Sequence, residues 1–165
     1  MSQSLLNIKI HIVFSTKKRL RYLQDPEVQK RLYKYISTIC YDLGCHLIKV
    51  GGMEDHLHLL VKLSPNITIS NLVRTLKANT SRVIKNIDPQ CRDFSWQRGY
   101  GAFSIDESME DNVKNYISTQ DQHHKNRSFR DEFSWLLKRY NIEYNEKYLQ
   151  QNLPEEDVSQ VSTIH

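Results

Sequence analysis

The segment His56-Leu57-His58 is the first place where residue type and spacing suggest chemistry. Side chains alternate along an extended strand, so the two imidazoles project from one face while Leu57 and Leu59 project from the other. Two imidazoles held side by side on a rigid element are a ready pair of ligands for a divalent metal. A bare His-x-His also occurs as two ordinary strand histidines, so the spacing alone leaves both readings open. Tyr116 and Gln120 stand one helical turn apart on a common face. A phenol presented to a phosphodiester can attack phosphorus when a neighbouring cation withdraws charge from the phosphate oxygens. Gln120 offers a neutral oxygen that could complete a metal site begun by two histidines. Met109, Val113, Ile117 and His124 share that arc, so Tyr116 also reads as one more core aromatic.

Other candidates are weaker. His123 and His124 are adjacent, and neighbouring helical positions point about 100° apart, which suits chelation of one metal poorly. They read as polar helix-end residues that favour the C-terminal end of the dipole. Arg74, Lys77, Arg82 and Lys85 form a basic stripe that reads either as a solvated face or as a set of phosphate contacts. Trp96 and Tyr100 could stack on bases or pack in a core. Ser15-Thr16, Ser37-Thr38 and the scattered acids form no hydrolase constellation.

The elements that must position these residues follow from periodicity. Residues 7–16 alternate, with Ile8, Ile10, Ile12 and Phe14 on one face and Lys9, His11, Val13 and Ser15 on the other, which predicts a half-buried strand. Asp25-Pro26 opens a helix and Gly44 ends it, with Val28, Leu32, Tyr35, Ile36, Ile39 and Leu43 on one arc. Residues 45–51 and 56–63 read as two strands joined tightly through Gly52-Met53-Glu54-Asp55, hence an antiparallel hairpin. A second helix covers about residues 69–86, and residues 94–105 read as a broken strand or hairpin around Gly99 and Gly101. Ser108 with Asp111 predicts the start of a third helix over about 109–124, and Ser128 with Asp131 the start of a fourth. The order strand, helix, strand, strand, helix, strand is the α+β, ferredoxin-like split βαβ arrangement, with a four-stranded antiparallel sheet and additional C-terminal helices. It predicts helices on one sheet face and a free opposite face, a common platform for single-stranded nucleic acid.

The chain has 165 residues, of which 25% are charged and 39% hydrophobic, which indicates one globular domain rather than a disordered or membrane-spanning protein. Residues 1–149 are expected to form that domain and residues 150–165 an acidic, disordered tail. Residues 1–102 carry 16 Lys+Arg against 7 Asp+Glu, whereas residues 103–165 carry 7 against 12. A basic body points to a polyanionic partner. Three cysteines without metal-like spacing, and an N-terminus without a secretory leader, lead us to expect a reduced, cytoplasmic protein with no membrane partner.

Taken jointly, these residues resemble a family. KIHIVFSTKKR, GGMEDHLHLLV, ISNLVRTLKANTSRVI, WQRGYGAFSI and NYISTQDQHH, spread over most of residues 7–140, are similar to segments of the single-tyrosine HUH transposases (TnpA-like) of small insertion sequences that move as single-stranded DNA. The resemblance implies that His56 and His58 are metal ligands, that Gln120 is the third protein ligand, and that Tyr116 is the nucleophile. It implies Mg2+ or Mn2+ as cofactor, hairpin-containing single-stranded DNA as partner, and a homodimer. The implied activity is metal-dependent cleavage and strand transfer through a 5′-phosphotyrosine intermediate. Two alternatives stand beside it: a domesticated nickase-ligase acting on chromosomal repeats, and a non-catalytic ferredoxin-like nucleic-acid-binding module.

Overall fold

Strand β1 (Lys9–Ser15) runs through the interior of a four-stranded antiparallel sheet and pairs with β3 (His56–Lys62) on one side and β4 (Gly101–Ile105) on the other. Strand β2 (His46–Gly52) adds to the far edge of β3, giving the order β2-β3-β1-β4. This computed structural model describes residues 3–125 and 127–147. The expected acidic tail lies outside the described residues.

The sequence sets the helix boundaries through caps. The Asp25 carboxylate accepts the Glu27 N–H at 2.9 Å and Pro26 sits in the first turn, so α1 (Pro26–Asp42) begins where a missing amide hydrogen costs nothing. Gly44 follows with φ +72°, a left-handed conformation that suits glycine. Thr68 accepts the Asn71 N–H at 3.2 Å to open α2 (Ile69–Ile87). Helices α1 and α2 lay Leu32, Ile36, Leu72, Leu76 and Ile84 toward the face of Ile10, Ile12, Phe14, Leu57 and Leu59. At roughly 25 cal/mol per Å² of apolar surface removed from water, this core is the main source of stability.

The opposite face is covered as well, contrary to the expected open platform. Helices α3 (Glu110–Ser118), α4 (Gln120–His123) and α5 (Phe129–Arg139) occupy it. Val113 and Ile117 of α3 pack on Leu60, while Phe129, Leu136 and Leu137 of α5 pack on Val13 and Phe103. Both faces of β1 are therefore buried rather than half-buried, and even Lys9 is enclosed, its ammonium paired with Glu107 at 2.6 Å and with Glu110. These C-terminal helices supply enough apolar surface to close the layer.

The expected third helix is in fact divided. Asp106, rather than Ser108, caps the region by accepting the Ser108 N–H at 3.2 Å, and a single 3-10 turn precedes α3. The chain leaves helical geometry at Thr119 (φ −110°, ψ 28°), so Gln120 opens the separate short helix α4. The fourth helix begins as its cap predicts, with Ser128 accepting the Asp131 N–H at 3.2 Å.

Candidate active site

His56 and His58 lie on the second face of β3, without solvent exposure, while Leu57 and Leu59 enter the opposite core. The turn before them is tied to the end of β1: Thr16 N–H donates to the Asp55 carbonyl at 2.8 Å and Leu23 N–H to the Glu54 carbonyl at 2.9 Å. That turn places Asp55 Oδ1 2.7 Å from His56 Nδ1. Burial alone would raise the Asp55 carboxyl, but the bond from His56 and the charges around it hold it below the usual carboxylate range. An ionised Asp55 accepts the Nδ1 proton, so Nε2 is the atom His56 turns toward the interior. There it lies 3.1 Å from Gln120 Oε1 and 3.6 Å from Glu132 Oε1.

His58 sits between two further groups. His11 Nε2 is 2.9 Å from His58 Nδ1, and His58 Nε2 is 2.6 Å from Glu132 Oε1. Burial pulls His11 down to about 3 and also lowers His58, so both rings are neutral at pH 7. The His58 ring is thus held at both nitrogens, by His11 at Nδ1 and by Glu132 at Nε2. The second carboxylate oxygen of Glu132 accepts from His124 Nε2 at 2.8 Å. Burial works to raise Glu132, yet its bonds to His124 and His58 outweigh that and keep it ionised. His124 loses some proton affinity to burial but regains more from Glu132, and its affinity is raised overall.

Tyr116 and Gln120 reach the same place despite the break between their helices. The Gln120 amide nitrogen donates to the Tyr116 carbonyl at 3.3 Å, which turns Oε1 toward His56 and His124. The Tyr116 ring lies 5.7 Å from the His58 ring and 4.7 Å from that of His123. Its hydroxyl is buried without a hydrogen-bond partner in the described structure. Burial raises its proton affinity well above that of a free phenol, and the nearby Glu132 charge raises it further. Such an orphaned hydroxyl costs stability, so its retention calls for an explanation outside packing.

Gly51 explains how α3 comes so close. A Cβ there would meet the Ile117 carbonyl oxygen at 2.7 Å, so glycine lets the end of α3, and Tyr116 with it, settle on β2. Gly52 serves the hairpin, since a Cβ there would stand 2.1 Å from the His56 carbonyl oxygen.

The basic stripe is separate from this cluster. It lies on α2, which packs on the Leu57/Leu59 face, opposite the imidazoles. Arg74, Arg82 and Lys85 are exposed there. Lys77 turns inward: its ammonium donates to the Gln97 carbonyl at 2.7 Å and the Gly99 carbonyl at 2.5 Å, and burial pulls its pKa down to about 8. Trp96 belongs to the core, donating to Thr80 Oγ1 at 2.9 Å and meeting Phe14 and Phe94 edge-on.

Three polar residues of the cluster were not expected from sequence. His124 is no mere helix-end residue; it bridges Gln120 and Glu132. Glu132 follows Phe129 and precedes Leu136 on the buried stripe of α5, so one acid at an apolar helical position was the available signal. His11 carries the analogous signal on β1, in a strand whose two faces are both enclosed. Two cavities bracket the cluster. One, of about 540 Å³, is lined by Arg19, Arg21, Asp55, His124 and Arg127. The other, of about 210 Å³, is lined by His11, Tyr116, Trp135 and Arg139.

His56, His58 and Glu132 form a group that could hold a metal ion, their ligand atoms all within 4.8 Å of one another. The donors fit a hard divalent cation: imidazole nitrogens alone suit softer ions, whereas the Glu132 carboxylate and the Gln120 carbonyl add oxygens.

The α+β fold, with four antiparallel strands and paired histidines beside a half-buried tyrosine and a glutamine, places the chain among transposases of the single-tyrosine type. Residues 4–120 match the IS200-like transposase family, and the chain belongs to that family. Among its relatives, the ISDra2 transposase TnpA of Deinococcus radiodurans is 25% identical over 118 residues, covering 68% of this chain and 84% of the relative. The transposase for insertion sequence element IS200 of Salmonella typhimurium is 23% identical over 120 residues, covering 69% and 77%. The fold is shared with a solved candidate transposase from Deinococcus radiodurans (TM-score 0.57, 24% identity, 73% of this chain and 98% of that one). It is shared too with a REP-associated tyrosine transposase solved with a REP hairpin (TM-score 0.56, 14% identity, 76% and 75%). Among the described residues, no helix is long and apolar enough to cross a membrane.

Proposed function

We propose that the chain cleaves and rejoins single-stranded DNA, with Tyr116 as nucleophile and His56, His58 and Gln120 holding Mg2+ or Mn2+. The observation that carries this reading is the convergence of those four residues, 3.1 Å from His56 Nε2 to Gln120 Oε1, around a buried tyrosine hydroxyl that has no structural partner. A divalent cation bound there would withdraw charge from a phosphate oxygen and so lower the barrier to attack.

The chain's own residues divide the rest of the work. Asp55 fixes the Nδ1 proton of His56 and leaves Nε2 facing the site. His11 holds the His58 ring from behind. Tyr116, kept protonated by burial, must lose its proton as its oxygen bonds to phosphorus. The P–O3′ bond breaks in line, leaving a 5′-phosphotyrosine and a free 3′-hydroxyl. Attack by another 3′-hydroxyl reverses the step and joins a new strand, so the energy of the broken bond is conserved and no nucleotide cofactor is required. Arg19, Arg21 and Arg127 line the cavity beside Asp55 and His124, which supports an approach for the phosphate backbone from that side. Arg74, Arg82 and Lys85, on the far layer, suit DNA remote from the scissile bond, while Lys77 braces the 97–99 loop. The partner in this reading is hairpin-containing single-stranded DNA, the chain works as a homodimer, and residues 1–149 act as one catalytic domain.

Incubation with 5′- and 3′-labelled single-stranded hairpin DNA and Mg2+ tests the proposal. A covalent adduct carrying the label 3′ of the cut, absent in His56→Ala and His58→Ala variants that still bind DNA, is expected. Equal loss of DNA binding in both variants would instead assign the histidines to the fold or the groove.

A further inference from the structure

We infer that Glu132 is a metal ligand of this site, brought to His56 and His58 by α5 from beyond the span matched by the family, which ends at residue 120. The inference rests on the metal-dependent reading above and deepens it, by adding a ligand that the sequence motifs do not contain.

Three observations carry it. Glu132 is wholly buried, and imidazoles surround its carboxylate: His58 at 2.6 Å and His56 at 3.6 Å on Oε1, His124 at 2.8 Å on Oε2. A carboxylate out of water is expensive unless its charge is met, and a divalent cation carries twice the charge that any one imidazole can bring. One oxygen, Oε1, faces the Nε2 atoms of both strand histidines. That is how donors stand around a common ion, and it is unneeded for packing α5, which Phe129, Leu136 and Leu137 already secure.

The second observation is the convergence of possible ligand atoms. His56 Nδ1 is held by Asp55 at 2.7 Å, and on the other side of the ring Nε2 lies 3.1 Å from Gln120 Oε1 and 3.6 Å from Glu132 Oε1. Atoms from β3, α4 and α5 thus gather around one point, as the ligands of a common ion do.

The third is chemical selectivity. Two imidazoles and an amide oxygen make a neutral donor set that favours later transition metals. One carboxylate shifts the set toward Mn2+ and Mg2+ and cancels half of the ionic charge. His124, bonded to the other oxygen, orients the carboxylate as outer partners of metal ligands do.

The test is direct Mn2+ binding to the chelator-stripped full chain without DNA, followed by the EPR signal of free Mn2+. The wild-type chain should bind one ion per site, and His56→Ala should abolish binding. Glu132→Gln should weaken binding at least tenfold while retaining the wild-type circular dichroism spectrum. Wild-type affinity in a folded Glu132→Gln chain overturns the inference and leaves the metal-dependent reading intact; no binding by the wild-type chain overturns both. If Glu132→Gln fails to fold, wild-type protein labelled with 13C at the glutamate side-chain carboxyls provides the decision. A 13C hyperfine coupling to bound Mn2+ supports ligation, and nitrogen couplings without any 13C coupling overturn it.

Discussion

His56 Nε2 lies 3.1 Å from Gln120 Oε1, joining the second hairpin strand to the first residue of α4 across a break in the helix. The contact exists because Gly51 leaves no side chain between β2 and the end of α3. Through it, a strand and two consecutive helices much further along the chain become one polar pocket. The same relationship sets the expected behaviour of several variants.

Removing the Tyr116 hydroxyl should separate function from stability. The group is buried and makes no hydrogen bond, so Tyr116→Phe removes an uncompensated desolvation cost. Its unfolding free energy should be unchanged or higher by roughly 1 kcal/mol, measured by urea denaturation. A destabilised Tyr116→Phe chain would mean that the hydroxyl holds the fold.

Gly51→Ala should move α3. Its Cβ would press on the Ile117 carbonyl, which is backbone and cannot rotate aside. Overpacking of this kind costs about 1–3 kcal/mol. DNA cleavage should fall by more than tenfold while the chain stays folded, because Tyr116 and Gln120 flank the displaced turn. Cleavage at the wild-type rate would show that their approach to His56 is loosely specified.

His11→Ala should weaken the site from behind. It strands His58 Nδ1 in the interior, at a cost of roughly 1–3 kcal/mol. Loss of the partner that orients a metal ligand lowers affinity about 10–100-fold, which Mn2+ titration would read. His11→Gln, which keeps a donor, should restore part of both.

Lys77 gives a pH signature. Its pKa is about 8 in the fold against 10.5 unfolded, because burial disfavours the charge. Below pH 8 both states are protonated and the burial cost is fully present. Between 8 and 10.5 the unfolded chain holds the proton and the folded chain does not, so stability rises with pH. Wild-type stability relative to Lys77→Met should therefore increase by roughly 1–3 kcal/mol from pH 7.5 to pH 10, as read from denaturation midpoints and slopes. A flat difference would mean that the carbonyls of Gln97 and Gly99 satisfy the ammonium completely.

How far these relationships were legible varies residue by residue. His56 and His58 were visible because a period of two assigns both to one face and their leucine neighbours to the other. The strand and helix order followed from the same periodicities and from caps at Asp25 and Ser128. The closed second face was hidden, because β1 looks like a half-buried strand until Phe129, Leu136 and Leu137 are known to pack on Val13. The helix break was hidden for a local reason: Thr119 leaves helical geometry in a segment whose apolar periodicity continues through it. Glu132 and His11 escaped notice because burial, rather than sequence distance, brings them to His58. Their signal was a polar residue at an apolar position of its own element, which acquires meaning only when the opposing element is known.

Incubating the wild-type chain and Tyr116→Phe with end-labelled single-stranded hairpin DNA and Mg2+, followed by denaturing electrophoresis, tests the central claim most directly. The expected result is a covalent protein–DNA adduct with the wild-type chain, a free 3′-hydroxyl on the other fragment, and neither product with Tyr116→Phe. Cleavage by Tyr116→Phe at the wild-type rate, or DNA binding by the wild-type chain that yields no adduct on its own element ends, would contradict it.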